Sequence, residues 1–184
     1  MPIAINGSGT VTGISVGGLP DGIVDTDMLA AKAATTSKIG NGGIIAMSYG
    51  FRTGHFQTTS TSYVDSGITA NITPISSSNK VLIQMNPLMG LNHPSGQDVI
   101  AQVQIVRTVG GSDTVIFTER TADYMRYMIG AGNTDYLIAG QFLLHQDSPS
   151  TTDQITYKLQ VRTGGAGTLS CWAGSGITLQ EVVA

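Results

Sequence analysis

From residue 44 onward, hydrophobic and polar side chains alternate in short runs that predict β-strands. The clearest run is residues 155–162, in which every second side chain is apolar: ITYKLQVR. Because successive side chains of a strand point to opposite faces, this strand is predicted to bury one face only. Similar runs predict further strands, and the whole set is 44–56, 62–72, 80–89, 99–108, 114–119, 124–129, 136–146, 154–162, 168–172 and 177–183.

Turn signals separate these runs about every ten residues, as in the Gly- and Ser-rich segments 76–79, 110–113 and 164–167. Short strands at this spacing, with no helical pattern between them, exclude parallel βαβ units and predict an antiparallel sandwich or barrel. The predicted fold class is therefore all-β, an antiparallel β-sandwich with a jelly roll as the leading candidate.

Residues 1–43 follow a different pattern, in which single apolar side chains are separated by glycines. One short helix is predicted over 25–34, where acids precede a run of alanines, and a hinge follows at 39–43. The segment has too few large apolar side chains to close a core, so we expect it to need a partner surface. We therefore divide the chain into an attachment or oligomerisation arm, 1–43, and a knob domain, 44–184. The arm side chains expected to contact a larger particle or sister chains are Ile3, Ile5, Val11, Ile14, Val16, Leu19, Ile23, Met28 and Leu29.

The composition excludes several classes of partner. Only 11% of the 184 residues are charged, against about 25% in an average domain. Lys+Arg 9 and Asp+Glu 12 give a net charge of −3 without a basic cluster, so nucleic acid is not expected as a partner. The single cysteine, Cys171, excludes an intrachain disulfide. We expect a soluble chain with no export signal, no membrane span and no cofactor. The low charge also favours self-association.

Candidate chemistry in the sequence is weak. Ser15 stands in a G-x-S-x-G string, but no strand–turn–helix context surrounds it, and a chance match in a Gly/Ser-rich segment is the preferred interpretation. His55, His93 and His145 lack metal-ligand spacing, although a histidine could meet its copies on a trimer axis. Asp147 and Asp153 bracket a turn without the ladder of a calcium loop, and turn chemistry explains them better. We predict no catalytic, cofactor or metal site.

A group of aromatic residues is the remaining candidate for binding. Tyr124, Arg126, Tyr127 and Tyr136 lie in or near a Met-rich stretch, and rings with a guanidinium are suited to holding sugars. Core or subunit-interface strands use the same residue types, and we prefer that interpretation. Trp172 follows Cys171 in an apolar strand and is expected to pack.

Several segments of the chain match a pattern shared by one group of proteins. The opening segment 6–25, NGSGTVTGISVGGLPDGIVD, is one of them, together with 28–30 and 36–39. Further matching segments are 62–68, 79–83, 147–149, 155–160 and 177–182. Together these segments resemble virion proteins of tailed bacteriophages, especially those that infect aquatic bacteria such as cyanobacteria. The resemblance implies a surface component of the particle, commonly trimeric, with an attachment arm and a β knob.

This resemblance leaves two functions open. The chain lacks the long stem of a typical receptor-binding fibre, which favours a non-enzymatic, homotrimeric capsid decoration or cement protein on the virion surface, assembled in the host bacterial cytoplasm and bound to the major capsid protein. The alternative is a short tail fibre or head fibre, attached to tail or baseplate proteins, whose β tip binds a host glycan. A hydrolase depending on Ser15 is the third hypothesis.

Overall fold

The computed structural model describes residues 4–5, 11–12, 39–92, 98–118, 125–128, 136–165 and 167–184. The chain divides into two units, 1–38 and 39–184. In the first unit, β1 (Ala4–Ile5) pairs antiparallel with β2 (Val11–Thr12), and Ile5 lies opposite Val11. The helix predicted over 25–34 falls outside the described residues.

The second unit is built from antiparallel strands. Their bounds are β3 (Ile44–Phe51), β4 (Phe56–Thr58), β5 (Val64–Ile72), β6 (Lys80–Asn86), β7 (Leu88–Asn92), β8 (Asp98–Val109), β9 (Ser112–Thr118), β10 (Met125–Met128), β11 (Tyr136–Gly140), β12 (Leu143–Asp147), β13 (Ile155–Gly164), β14 (Thr168–Cys171) and β15 (Gly176–Val182). Within the described ranges, there is no helix long and apolar enough to cross a bilayer.

Two of the sheets have four strands each and the same strand order, β12-β6-β15-β3 and β11-β7-β14-β4. Each strand of one sheet continues along the chain into its counterpart in the other, with interruptions at 52–55, 87, 141–142 and 172–175. Pro87 has no backbone N–H to donate, which suits the interruption between β6 and β7. Four long segments therefore form one bent sheet, and the single strands predicted over 44–56, 80–89 and 136–146 are each two strands.

The second sheet has the order β10-β8-β13-β5, and β9 also pairs with β8. β13 lies at its centre, paired with β8 from Ile155 to Gly164 and with β5 from Ile155 to Val161. Every odd-numbered residue of β13 from 155 to 163 is buried, as the alternation of the sequence predicted.

The strand order identifies the fold. Each bent segment can be counted as one strand, and so can β9 and β10 together, which gives eight strands when they are numbered from 1 to 8 along the chain. Their order is 1-8-3-6 in the bent sheet and 2-7-4-5 in the second sheet. This order is that of a jelly roll, so the predicted fold class is confirmed.

The core lies between the two sheets. The bent sheet contributes fully buried side chains such as Ile83 and Leu179, and the second sheet contributes Ile105, Tyr157 and Leu159. Cys171 is also fully buried, and burial raises the pKa of its thiol to about 11.

Candidate interaction surface

The outward side of the second sheet is polar and internally hydrogen-bonded; we call it the polar face. Gln160 on β13 has Gln104 of β8 opposite it on one side and Asp65 of β5 on the other. The Gln160 amide accepts a 2.6 Å hydrogen bond from Gln104 Nε2 and donates a 2.7 Å bond to Asp65 Oδ1. This row joins three strands through their side chains.

A row of charges crosses the same face. Lys158 Nζ lies 2.8 Å from Asp113 Oδ2 and 3.5 Å from Asp65 Oδ2. The hydrogen bond to Lys158 lowers the pKa of Asp113, and the same bond raises the pKa of Lys158. Both carboxylates are about half exposed, so the polar face is a solvated surface whose charges satisfy one another.

The outward side of the bent sheet has the opposite character, and strand β3 shows it best. Met47, Tyr49 and Phe51 point outward and are 63%, 64% and 66% exposed. The positions between them are small, Ser48 and Gly50. A Cβ atom on Gly50 would lie 2.0 Å from the Thr69 carbonyl oxygen, because β3 packs closely on β5. β3 therefore turns its small residues inward and its large apolar residues toward solvent.

The apolar residues of β3 continue across the sheet. The register places Tyr49 opposite Thr178, Thr178 opposite Gln84, and Gln84 opposite Leu144, which is 56% exposed. A parallel row runs from Met47 through Gln180 and Leu82 to Gln146. We call this surface the apolar face; its members are Met47, Tyr49, Phe51, Leu82, Gln84, Phe142, Leu144, Gln146, Thr178 and Gln180.

Charge is almost absent from this side of the molecule. At the outward positions of β3, β6, β12 and β15, all of which the structure describes, the one charged residue is Lys80, at the first position of β6. Aromatic rings mark its border. Tyr49 and Phe51 lie 5.6 Å apart between ring centroids, and His55 stacks on Trp172 at 4.2 Å beside the bend. Trp172 is half-buried, so it packs as expected.

A buried polar network joins the two sheets. Asp147, at the end of β12, accepts hydrogen bonds of 2.9 and 3.0 Å from Arg107 Nη1 of β8 and one of 2.7 Å from the Tyr157 hydroxyl of β13. Burial, the hydrogen bond and the carboxylate charge all raise the pKa of Tyr157. Asp147 was predicted as a turn residue; its carboxylate instead closes an ion pair between sheets. Asp153 does lie in a turn, where its backbone N–H bonds Thr151 Oγ1.

The structure places only some of the residues proposed from sequence. Of the arm residues, Ile5 lies in β1 and Val11 in β2; Ile3, Ile14, Val16, Leu19, Ile23, Met28 and Leu29 lie outside the described residues, as does Ser15. Of the sugar-binding candidates, Arg126 and Tyr127 lie on β10 of the second sheet, while Tyr136 begins β11 of the bent sheet. Strand pairing therefore does not unite them, and Tyr124 lies outside the described residues.

Metal-ligating side chains do not gather in the part of the chain that the structure describes, where no group of three or more His, Cys, Asp or Glu is found. His145 instead contacts the ring of Phe117, with centroids 5.5 Å apart. His93 lies outside the described residues. The apolar face was missed by the sequence analysis, because its large residues alternate with small ones as they would in an ordinary half-buried strand.

Known proteins offer only distant similarity to this chain. No family model matches, and no curated protein matches. Among solved structures, the infectious bursal disease virus Gx strain matches at 17% identity and a TM-score of 0.40 over 76% of this chain and 32% of that chain. The VP2 subviral particle of infectious bursal disease virus matches at 14% and 0.36 over 76% and 37%. Eiger TNF from S. frugiperda matches at 13% and 0.38 over 77% and 94%.

These similarities are to viral capsid structures and to a TNF. The chain spans about a third of the length of the two viral chains. At these TM-scores the similarities carry no functional argument, and the assignment of a jelly roll rests on the strand order alone.

Proposed function

We propose that this chain is a non-enzymatic structural protein of a bacteriophage virion, a homotrimeric capsid decoration or cement protein. Residues 1–43 would anchor it to the major capsid protein, and the jelly roll would form the exposed knob. The observation that carries the proposal is the outward placement of Met47, Tyr49 and Phe51, because a large exposed apolar patch is typical of a protein-contact surface. The resemblance of the sequence to phage virion proteins supports the same function.

Such a protein would act through burial rather than chemistry. Each arm that lies across neighbouring capsid subunits removes apolar surface from water, at about 25 cal/mol per Å². The polar face, with its satisfied charges and hydrogen bonds, suits the side of the knob that meets solvent. Copies distributed over the shell would then add resistance to the pressure of the packaged DNA.

The test compares particles with and without the protein. Particles that lack it are expected to release DNA at lower temperature or lower ionic strength, and adding back the full chain is expected to restore them. Counting copies per particle gives a second readout, since a capsid decoration is present in hundreds of copies. Equal stability of the two particles would contradict cementing.

The alternative function is a short tail or head fibre with a glycan-binding tip. The position of Arg126 and Tyr127 on β10, an edge strand of the second sheet, is the observation that favours it. A fibre predicts about a dozen copies per particle, and it predicts that the purified full chain blocks phage adsorption or is retained on host polysaccharide. Hundreds of copies together with no retention would exclude it.

A further inference from the structure

We propose that the apolar face is the contact surface between copies of this chain, with Tyr49 of the edge strand β3 as a main contact residue. The inference rests on the proposed homotrimer and names the surface that forms it. The occupant is a second copy, as three observations indicate: the direction of the side chains in β3, the area and charge of the face, and the position of Gly42 and Gly43 beside β15.

The side-chain directions in β3 are inverted relative to a strand at a solvated surface. A half-buried strand normally turns its large apolar side chains inward. Here Gly50 faces Thr69 of β5, where no Cβ atom fits, while Met47, Tyr49 and Phe51 point outward. Filling the core therefore does not explain why these three positions are large and apolar. A covering partner does.

The face supplies a large part of the area that an interface needs. An aromatic side chain buries about 150–250 Å² when it is covered, so Tyr49, Phe51 and Phe142, exposed by 64%, 66% and 59%, offer about 280–470 Å² together. Met47 and Leu144 and the polar side chains between them extend this area toward the roughly 800 Å² per partner of a stable interface.

The charges suit a copy of the same chain. In a trimer, residues that lie close to the three-fold axis meet their own copies, so a charged face turned toward that axis would repel itself. The polar face carries Lys158, Asp65 and Asp113 and would be costly to pair with a copy. The apolar face has only Lys80 at its end, and its Gln and Thr side chains can hydrogen-bond to their counterparts in another copy.

The start of the knob lies next to the same face. The Gly42 N–H donates to the Val183 carbonyl at 2.8 Å, and the Val183 N–H donates to the Gly43 carbonyl at 3.0 Å. These two hydrogen bonds hold the chain beside the end of β15 just before β3 begins. Copies that associate through the apolar face would thus bring the starting points of their arms together. This agrees with the expectation that residues 1–43 gain order against sister chains.

The test measures self-association of the purified full chain by analytical ultracentrifugation over a wide range of micromolar concentrations. We expect the wild type to form an oligomer and Tyr49→Glu to raise its dissociation constant at least about 30-fold, as loss of an interface hot spot does. The matched control is Val115→Glu, which places the same charge at an exposed apolar position of β9 on the other sheet. It is expected to change the dissociation constant by less than about twofold.

A second measurement does not depend on disrupting the oligomer. Leu144 and Val115 are 56% and 51% exposed in a single copy, and the native thiol, Cys171, is buried. In the assembled protein, Leu144→Cys is expected to react with a maleimide at least about tenfold more slowly than Val115→Cys. Circular dichroism on every variant confirms that the fold is kept.

Three results would overturn the proposal. One is a wild-type chain that stays monomeric. If that monomer bound particles only when Tyr49 was present, the apolar face would contact the capsid shell instead of a second copy. Another is an oligomer whose dissociation constant Tyr49→Glu does not change. The copies would then associate through residues 1–43, so the homotrimer would stand but the apolar face would not be its contact surface. The third is equal labelling of the two engineered cysteines. If the protein did not stabilise the capsid, the proposed function would fail, but the expected results of these self-association and labelling measurements would remain the same.

Discussion

The Tyr157 hydroxyl donates a 2.7 Å hydrogen bond to Asp147 Oδ2, and this contact ties the second sheet to the bent sheet inside the core. Asp147 also carries the ion pair with Arg107. The three residues come from three strands, β8, β12 and β13. Since hydrogen bonds to charged groups contribute more than neutral ones, this cluster is expected to be a main polar determinant of stability.

Replacing Tyr157 with Phe tests that expectation. The ring and its packing remain, but the buried carboxylate loses one donor while it keeps Arg107, so the free energy of unfolding is expected to fall by about 1–3 kcal/mol. Urea denaturation at one fixed protein concentration measures it. Tyr63→Phe is the control, because Tyr63 stacks its ring under Arg162 and keeps that contact; it is expected to change stability by less than about 0.5 kcal/mol. Equal effects of the two variants would contradict the role of the hydroxyl.

The pH dependence at the alkaline end follows from two buried groups. The pKa of Tyr157 is raised, chiefly by burial, and burial raises the pKa of Cys171 from 9.0 to about 11. A raised pKa in the folded state means that the folded protein holds the proton more tightly than the unfolded chain. The resulting stabilisation is complete below the unfolded pKa and is lost as pH rises. Stability is therefore expected to decline above about pH 9, where the unfolded thiol begins to ionise, and further above about pH 10, where unfolded Tyr ionises.

Urea denaturation at a series of pH values, with a reductant present, measures this decline. Its slope is expected to approach about 1.4 kcal/mol per pH unit for each proton involved. Cys171→Ala removes one of the two groups and is expected to flatten the slope between pH 9 and 11, whatever the variant loses in packing. A slope identical to that of the wild type would contradict the assignment to Cys171.

Much of the fold could be predicted from local pattern. The alternation in residues 155–162 reports burial correctly because β13 lies at the centre of its sheet and its environment alternates with the pleat. The bends were missed. The run 80–89 was predicted as one strand, but the structure interrupts it at Pro87, where the bent sheet bends between β6 and β7.

The candidate surface could not be predicted in the same way. Alternation shows that the residues of β3 differ in size, but not which side the core lies on; that depends on the approach of β5 to Gly50, about twenty positions away in the sequence. The network around Asp147 has the same origin. Arg107 lies 40 positions from Asp147, and no local signal links them. Both features arise from tertiary packing.

Gly50 offers a direct test of the close approach between β3 and β5. A Cβ atom there would lie 2.0 Å from the Thr69 carbonyl oxygen and 3.0 Å from its carbonyl carbon, and these backbone atoms cannot rotate away. Gly50→Ala is therefore expected to lower the free energy of unfolding by about 1–3 kcal/mol. Gly140→Ala is the matched control, since nothing lies within 4 Å of the added atom, and it is expected to stay within about 0.5 kcal/mol of wild type. Thermal and urea denaturation measure both, and a neutral Gly50→Ala would contradict the close packing.

The Glu181 carboxylate is fully buried, and only one of its two oxygens is hydrogen-bonded within the described residues. Its Oε1 atom accepts hydrogen bonds from the Ile75 N–H at 2.8 Å and from Asn79 Nδ2 at 2.7 Å, while Oε2 has no hydrogen-bond partner among the described residues. A Gln side chain keeps both accepted bonds and removes the buried charge, so Glu181→Gln is expected to leave stability at neutral pH unchanged or to raise it.

Glu181→Ala is expected to behave differently, because it leaves the Ile75 N–H and the buried Asn79 amide without an acceptor and opens a cavity. The expected loss is about 3–5 kcal/mol in the free energy of unfolding. Asn79→Ala removes one of the two donors and should fall between the other variants. If the Gln variant lost as much stability as the Ala variant, the negative charge itself would be stabilising, and an unidentified donor or cation would have to face Oε2.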